Sequence, residues 1–272
     1  MRHSLVLWVV AFIVTAVFAV YQRMTGPTYP VTESVTLGGR DLRLRFERSH
    51  GGETDFPVRL TIGDATVLGT VEWKRHNTAD TWTRTPMTNE NGVLTAFLPH
   101  QPPAGKLDYR VILQTAGREV VLPSAGPVVV RFKGNVPTGI LVIHVLVIFG
   151  AMLLSTRTAL EILAPDPQLL SYTRWTVGLL FVGGLILGPI VQKYAFDAYW
   201  TGWPVGTDLT DNKTAVALLA WVTALIVQRR GRNPRTWIIA AAIITIVVFL
   251  IPHSMFGSEL EYSAVPPPAT SR

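Results

Sequence analysis

A histidine inside an apolar run is the first candidate for chemistry in this sequence. His144 lies within residues 140–154, which are otherwise almost entirely apolar. An ionisable side chain at such a depth is energetically costly and therefore often functional. A neutral imidazole can ligate haem b, relay a proton or contact a quinone. The alternative is a structural histidine that is hydrogen-bonded to a neighbouring helix or subunit.

Acidic residues before a later apolar run are the second candidate. Asp208 and Asp211 lie in the connection formed by residues 192–214, and His253 follows the last apolar run. Carboxylate and imidazole ligands that converge would suit a hard or borderline metal ion. No EF-hand or zincin spacing supports such a site. In the alternative interpretation Thr210 or Asp211 is the N-cap of a helix and Asp208 is a turn residue.

The same connection is rich in aromatic residues, which predict a membrane-interface anchor or a surface that packs against a partner. They are Tyr194, Phe196, Tyr199, Trp200 and Trp203. In the preceding apolar run, Gly184 and Gly188 form a small-xxx-small pair. This spacing permits close packing between helices.

Motifs of the common enzyme classes are absent from the sequence. It contains no Walker A loop, GxGxxG, GxSxG, HExxH or CxxC pattern. The lack of cysteine excludes disulfides, thiolate metal sites and covalent haem attachment. We therefore expect a protein that is not an enzyme and needs no cofactor, with haem b or quinone at His144 as the alternative.

Composition indicates a membrane protein. Of the 272 residues, 49% are hydrophobic and 15% are charged, against roughly 25% charged in a soluble protein. The net charge of +6 is attributed to arginines on cytoplasmic connections. The expected partners are therefore the lipid bilayer and other subunits of a membrane complex, and not nucleic acid.

Five apolar runs predict five transmembrane helices, since a span needs roughly 20 residues. The predicted segments are residues 1–22, 137–155, 174–191, 213–228 and 236–252. The first could instead be a cleaved signal peptide. The fourth is short, with a re-entrant segment as the alternative, but spanning places more arginines on one side.

That side is predicted to be cytoplasmic, because arginines are retained there. Its arginines would be Arg2, Arg157, Arg174, Arg229, Arg230, Arg232 and Arg235. This orientation makes the N-terminus cytoplasmic in a bacterial inner membrane. Residues 28–133 and the tail, residues 253–272, are then extracytoplasmic, and the end of the tail, residues 263–272, is expected to be disordered.

Residues 28–133 alternate between apolar and polar side chains with period two. Leu42, Leu44 and Phe46 alternate with Arg43 and Arg45, for example. Such alternation is typical of half-buried strands, and glycine-rich turns separate the runs. We predict six to eight short strands in a β-sandwich that is inserted between the first helix and a four-helix bundle.

Within this region, residues 98–111 read Leu-Pro-His-Gln-Pro-Pro-Ala-Gly-Lys-Leu-Asp-Tyr-Arg-Val. This stretch resembles the end of an immunoglobulin or fibronectin-III-like domain, in which a proline-glycine corner precedes a strand with an inward tyrosine. The resemblance covers about 100 residues and implies a fold without an activity. Residues 192–214 are similar to uncharacterised bacterial membrane proteins, which implies no activity either.

Together these features favour an accessory or assembly subunit of a bacterial membrane complex, with electron transport as the expected setting. The sandwich would dock a partner on the outer side. Two alternatives remain open: a redox subunit built around His144, and a transporter or metal-delivery protein that uses the acidic connection with His253.

Overall fold

The chain forms one helical and one β-rich unit. The computed structural model describes residues 2–115 and 117–252, together with Leu260 and Tyr262. The helical unit contains residues 1–27 and 136–258, and the β unit contains residues 28–135 and 259–272. A β-rich region inserted between apolar helices was predicted, and at this level the prediction is confirmed.

The helical unit contains five helical rods within the described residues. Their elements are α1 Arg2–Thr25, α2 Thr138–Glu161, α3 Leu169–Leu180 continued by a π-helix Phe181–Leu187 and by α4 Gly188–Phe196, α5 Leu209–Arg229 and α6 Arg235–Leu250. Four segments are long and apolar enough to cross a membrane: Ser4–Thr25, Thr138–Glu161, Leu169–Phe196 and Leu209–Arg229. Helix α6 is apolar but has only 16 residues.

The fourth predicted transmembrane segment, which the sequence suggested was short, corresponds to α5 and is longer than α6. Helix α5 begins at Leu209, before the predicted start at residue 213, and has 21 residues. Helix α2 runs on to Glu161 rather than ending at residue 155. Both helices thus extend beyond the predicted apolar segments, because polar residues near their ends are buried within the helix.

The rods are antiparallel, and the unit has two ends. At the aspartate end lie the C-termini of α1, α4 and α6 and the N-termini of α2 and α5. At the arginine end lie the N-termini of α1, α3 and α6 and the C-termini of α2 and α5. Hydrogen bonds join elements at each end, such as Tyr21 to the Leu250 carbonyl at the aspartate end and Arg157 to Ser4 at the arginine end.

Small residues let α3, its π-helical continuation and α4 approach their neighbours. A Cβ at Gly184 would collide with the side chain of Thr214 on α5. A Cβ at Gly183 would lie 3.2 Å from Val147 Cγ1 on α2. One at Gly188 would lie 3.8 Å from His144 Cε1. The predicted glycine pair thus lies at helix contacts, and Gly183 shares this role.

The β unit contains eleven strands among its described residues, more than the predicted six to eight. They are β1 Val31–Leu37, β2 Arg40–Phe46, β3 Ser49–Gly51, β4 Phe56–Thr61, β5 Leu68–Arg75, β6 Thr83–Pro86, β7 Thr88–Glu90, β8 Val93–Leu98, β9 Lys106–Thr115, β10 Arg118–Leu122 and β11 Val128–Lys133. Three of the eleven, β3, β6 and β7, have only three or four residues, which is too short for a clear period-two alternation.

Three sheets enclose one hydrophobic core. The largest has the strand order β3-β11-β9-β5-β6, with β10 also paired to β9. The second has the order β4-β8-β7, and β1 with β2 forms a hairpin. Most pairs are antiparallel, but β3 and β11 are parallel. All three sheets contribute to the core, for example through Phe46, Leu60 and Leu107, which are almost completely buried.

Leu260 and Tyr262 pack on the β unit. The Tyr262 hydroxyl donates to the carbonyl oxygen of Lys106 and accepts from its backbone N–H, both at 2.8 Å. The Arg75 guanidinium lies 5.2 Å from the Tyr262 ring centroid, and the Leu260 N–H donates to the Ala104 carbonyl at 3.3 Å. The tail segment predicted to be disordered, residues 263–272, lies outside the described residues.

Candidate functional site

The aspartate end carries the most elaborate polar structure of the helical unit. It is built around residues 197–208, which join α4 to α5 and are called the aromatic loop here. The loop starts at Asp197, whose left-handed conformation (φ 60°) ends α4. Lys193 Nζ donates to Asp197 Oδ1 at 2.6 Å and fixes this first corner.

Asp211 holds the middle of the aromatic loop from the first turn of α5. Its Oδ2 accepts hydrogen bonds from the backbone N–H groups of Thr201 at 2.8 Å and Gly202 at 3.0 Å. Gln192 Nε2, on α4, donates to the same oxygen at 3.3 Å. Asp211 is 7% exposed. A buried carboxylate is thus compensated by backbone and amide donors.

Asp208 is the N-cap of α5. Its Oδ1 accepts from the Thr210 N–H at 2.7 Å, and its Oδ2 accepts from the Thr201 hydroxyl at 3.0 Å. The alternative that gave the cap to Thr210 or Asp211 and a turn role to Asp208 is wrong. Asp208 takes the cap because its carboxylate reaches the unpaired N–H groups of the first turn.

Two further contacts fix the tip of the aromatic loop. Asn212 Oδ1 accepts from the Trp203 N–H at 2.7 Å, and Trp200 Nε1 donates to the Trp203 carbonyl at 3.1 Å. At Gly202, a Cβ would lie 2.6 Å from Asp211 Cβ, so any side chain there would displace the loop. The loop is therefore held along its length by α4 and α5.

Sequence reasoning missed several residues that build this site: Gln192, Thr201, Gly202 and Asn212. The signal that could have found the anchor is the spacing of Asp208, Asp211 and Asn212. Polar oxygens three and four residues after an N-cap lie over the first helical turn, and a preceding loop can fold back onto them. Thr201 and Gly202 carry no comparable sequence signal.

This fixed loop presents large apolar side chains to the outside. Trp203 is 77% exposed, Val205 76% and Tyr199 61%. Of the other predicted contact residues, Tyr194 is exposed, and Phe196 and Trp200 are half-buried. The sequence placed these aromatics in one connection, and the structure gathers the most exposed of them around its tip.

The predicted metal ligands are brought together only in part. Asp208 and Asp211 share the Thr201 hydroxyl as a donor, which lies 3.0 Å from one carboxylate and 3.4 Å from the other. His253 lies outside the described residues. Among the residues described, no three or more histidine, cysteine, aspartate or glutamate side chains are grouped to hold a metal ion. The metal site stays a prediction.

The rest of the aspartate end is also closed by polar contacts. The last carbonyls of α6 and the residue after it lack helical partners and are bound by other helices. Lys213 Nζ donates to the Ile251 carbonyl at 2.8 Å, and Gln22 Nε2 donates to the Phe249 and Ile251 carbonyls. Lys213 is 8% exposed. These bonds tie α1, α5 and α6 together beneath the aromatic loop.

His144 faces the π-helix. Its Nδ1 lies 3.1 Å from the carbonyl oxygen of Gly183, which also accepts the N–H of Gly188. The hydrogen bond makes Nδ1 the protonated nitrogen and leaves Nε2 as an acceptor. Within the described part of the chain Nε2 has no protein partner. A π-helix in such a place often marks a functional segment.

A second buried polar cluster lies at the arginine end. Arg157 is 1% exposed and is ion-paired with Glu161 one turn later on α2. Its guanidinium carbon lies 5.4 Å from the ring centroid of Trp8 and 4.8 Å from that of Tyr172. Arg157 was predicted to lie on the cytoplasmic side with the other arginines, and its side remains a prediction. The structure shows that it is a buried residue of α2 and not an exposed charge.

The β unit also has a polar face, on strands β5, β6 and β9. Glu72, with a side chain that is 4% exposed, binds Arg84 at 2.8 Å and Arg110 at 2.6 Å. Burial opposes ionisation of Glu72, but these two guanidinium groups outweigh it and lower its pKa. Trp82 covers part of this face, with the Arg110 guanidinium carbon 4.8 Å from its ring centroid.

Comparison with known proteins adds no family to this description. The chain matches no protein-family model, and no curated protein matches it. Its function must therefore be argued from its own geometry.

Proposed function

We propose that the protein is a non-catalytic accessory or assembly subunit of a bacterial membrane protein complex, and that the aromatic loop is a docking surface. The observation that carries the proposal is the exposure of Trp203 and Val205 on a loop whose backbone is fixed by Asp211 and Asn212. Tryptophan and tyrosine are the residues most enriched at the energetic centres of interfaces.

Rigidity favours a docking function for the loop. Ordering a flexible segment on binding costs free energy, so a preorganised surface binds more tightly for the same contacts. Hydrogen bonds within the chain already order the backbone of the aromatic loop. These bonds do not bury its apolar side chains, which stay exposed to solvent. The arrangement therefore suits a partner that covers the loop at the membrane surface.

The proposed topology has five transmembrane helices, with the arginine end in the cytoplasm. Two observations support it, the first from the connectivity of the chain and the second from its arginines. Tyr262 and Leu260 bind the β unit, so the chain between residues 136 and 258 must return to the side from which it started. An even number of crossings achieves this if α6 spans as well. At about 1.5 Å per residue, its 16 residues require local thinning of the bilayer.

The arrangement of arginines supports the same orientation. Arg174, Arg229, Arg230, Arg232 and Arg235 belong to the arginine end and are exposed. Arginines near helix ends are retained on the cytoplasmic side. In this orientation the β unit is extracytoplasmic, and so is the aromatic loop, in a bacterial inner membrane.

We further propose that the β unit is an immunoglobulin-like sandwich that docks a partner on the outer side, with electron transport as the setting. The strand orders β4-β8-β7 and β3-β11-β9-β5-β6 around one core support this fold. The buried Tyr109, which is 1% exposed, supports the resemblance at the corner that precedes β9. Such a fold carries no activity by itself.

A redox subunit is the second candidate, favoured by the free Nε2 of His144 beside the π-helix. That nitrogen would accept a hydrogen bond from a quinol or ligate haem iron. A reduced-minus-oxidised optical spectrum of the purified protein tests the haem version. A Soret band that is lost in His144→Ala would support it, and a featureless spectrum of the wild type would exclude haem.

The docking proposal is tested by mild detergent extraction, native-gel separation and mass spectrometry of the band that contains the chain. We expect a band much larger than the chain, with stoichiometric partners, and loss of those partners in Trp203→Ala. Trp175→Ala is the matched control, because Trp175 is 64% exposed but lies at the arginine end. A wild-type chain that runs alone would contradict the proposal.

A further inference from the structure

A groove opens at the arginine end between the start of α3, the end of α5 and the start of α6. Its lining includes Gln168, Ser171 and Arg174 from the α3 side, and Gln228 and Arg232 from the α5 side. The groove is thus formed by three helices that are held together by the bundle core, and two arginines are among its lining residues.

The two arginines supply positive charge to the groove, and one exposed acidic residue, Asp166, precedes the lining residue Pro167. Arg174 and Arg232 are exposed, and neither has a carboxylate partner within the residues that the structure describes. Glu161, the acidic residue buried near this end, is already paired with Arg157. Arginine binds phosphate oxygens through paired N–H donors. The charge and geometry therefore suit a phosphate group.

Helix α3 adds backbone donors to the same place. Gln168 is its N-cap and makes no side-chain capping bond. The N–H of Gln168 itself donates to Glu161 Oε1 at 3.0 Å, and the first-turn residues Leu169, Leu170 and Ser171 line the groove. Backbone N–H groups at a helix N-terminus bind phosphate groups, with the helix dipole in support. The positive end of the helix dipole therefore favours a negatively charged ligand, as the two arginines do.

An amide group in the groove lacks a partner. Gln228 Oε1 is buried and makes no hydrogen bond with the residues that the structure describes, which is unfavourable for a polar atom. A small rotation of the side chain would let this oxygen accept a hydrogen bond from a ligand in the groove. The ligand should therefore carry a hydroxyl donor in addition to its phosphate.

Two exposed tryptophans place the groove at a membrane interface. Trp175 follows Arg174 and is 64% exposed, and Trp237 lies near the start of α6 and is 48% exposed. Tryptophan is enriched at the level of the lipid head groups. Basic pockets between helices on the cytoplasmic side are a known form of lipid site.

From these observations we propose that the groove binds the head group of an anionic phospholipid of the inner leaflet. Its phosphate lies between Arg174 and Arg232, and a head-group hydroxyl donates to Gln228. Phosphatidylglycerol has this chemistry, whereas phosphatidylcholine has neither the net charge nor the donor. The inference depends on the proposed membrane orientation but is independent of the docking function.

The test is lipid retention by the full chain, measured by native mass spectrometry from mixed micelles that contain phosphatidylglycerol or phosphatidylcholine. We expect retention of phosphatidylglycerol, and at least about tenfold weaker retention in the double variant R174Q/R232Q, because charge-assisted bonds to phosphate are lost. The control is R229Q/R230Q, which removes the same charge from arginines outside the groove lining.

Three results would overturn the proposal. Equal losses in the two double variants would mean that diffuse charge alone holds the lipid. Equal retention of phosphatidylcholine would remove the anion specificity. Displacement of the lipid by millimolar inorganic phosphate would identify a soluble anion as the occupant. A third variant, Gln228→Leu, should abolish the preference for phosphatidylglycerol over phosphatidylmethanol, and an unchanged preference would refute the hydroxyl contact. Melting temperatures measured in detergent verify that each variant is folded.

Discussion

The two ends of the helical unit use polar residues in opposite ways. At the arginine end, Arg157 and Glu161 are enclosed by Trp8 and Tyr172, so both charge and aromatic surface are used inside the chain. At the aspartate end, Asp211 is also enclosed, but the loop that it fixes turns Trp203 outward. The Arg157 cluster thus places its charges and rings inside the chain, whereas the aromatic loop leaves apolar side chains exposed.

This difference separates residues that stabilise the fold from residues available for function. A buried charge whose partners all come from the same chain needs no further explanation. An exposed aromatic residue on a flexible loop would also be unremarkable. An exposed aromatic residue on a loop that is fixed by buried carboxylates is the observation on which we base the proposed docking surface. Four substitutions follow, beginning with the largest expected effect. The first two test this distinction at the two ends of the helical unit, and the other two test polar contacts of the β unit.

Arg157→Leu should destabilise the helical unit most. It removes the cation from the buried Glu161 carboxylate, which keeps the hydrogen bond from the Gln168 N–H, and loss of one partner from a buried ion pair costs about 3–5 kcal/mol. The matched control is the double variant Arg157→Leu/Glu161→Leu, which should recover most of the loss. Denaturation in mixed micelles measures both. Equal losses in the two variants would mean that the ion pair itself stabilises the fold.

Asp211→Ala should have the next largest effect. It removes the acceptor for the Thr201 and Gly202 N–H groups, and buried unsatisfied donors cost about 1–3 kcal/mol each. The loop should loosen, and partner binding should fall with it. Asp197→Ala is the control, since Asp197 is exposed and bonded only to Lys193 in the described contacts. Hydrogen exchange of the loop amides measures the difference, and equal protection in both variants would contradict this role.

Glu72→Gln should change how the stability of the β unit depends on pH. The pKa of Glu72 is lowered in the folded chain because hydrogen bonds from Arg110 and Arg84 outweigh its burial. Its contribution is therefore full above the ordinary pKa of a glutamate and is lost as pH falls through the folded pKa. Denaturant titrations between about pH 3 and pH 7 should show less acid sensitivity in the variant. An unchanged pH profile would refute the linkage.

Tyr262→Phe should have the smallest effect. It removes the hydroxyl that bonds to the Lys106 backbone in both directions while the ring remains against Arg75. A loss of about 1 kcal/mol is expected for such bonds, seen as faster proteolysis of the tail. Unchanged proteolysis would mean that ring packing alone holds the tail on the β unit.

The sequence predicted elements better than it predicted contacts. Period-two alternation around Leu42, Leu44 and Phe46 identified strands, because burial on one face is a local pattern. The role of Arg157 was not predictable, since its partners Trp8 and Tyr172 come from two other helices. One interpretation gave Asp208 a turn role because Thr210 and Asp211 are also N-cap residue types, and the sequence does not decide which of these neighbouring polar residues begins the helix.

The most direct test of the account is a photo-crosslinking amino acid placed at Trp203 in cells, compared with one placed at Trp175. Both positions are strongly exposed in the chain, at 77% and 64%, but they belong to opposite ends of the helical unit. We predict that the crosslinker at position 203 attaches to one protein partner in stoichiometric amounts and that the crosslinker at position 175 attaches mainly to lipid. Crosslinks from Trp203 to lipid alone would contradict the docking function.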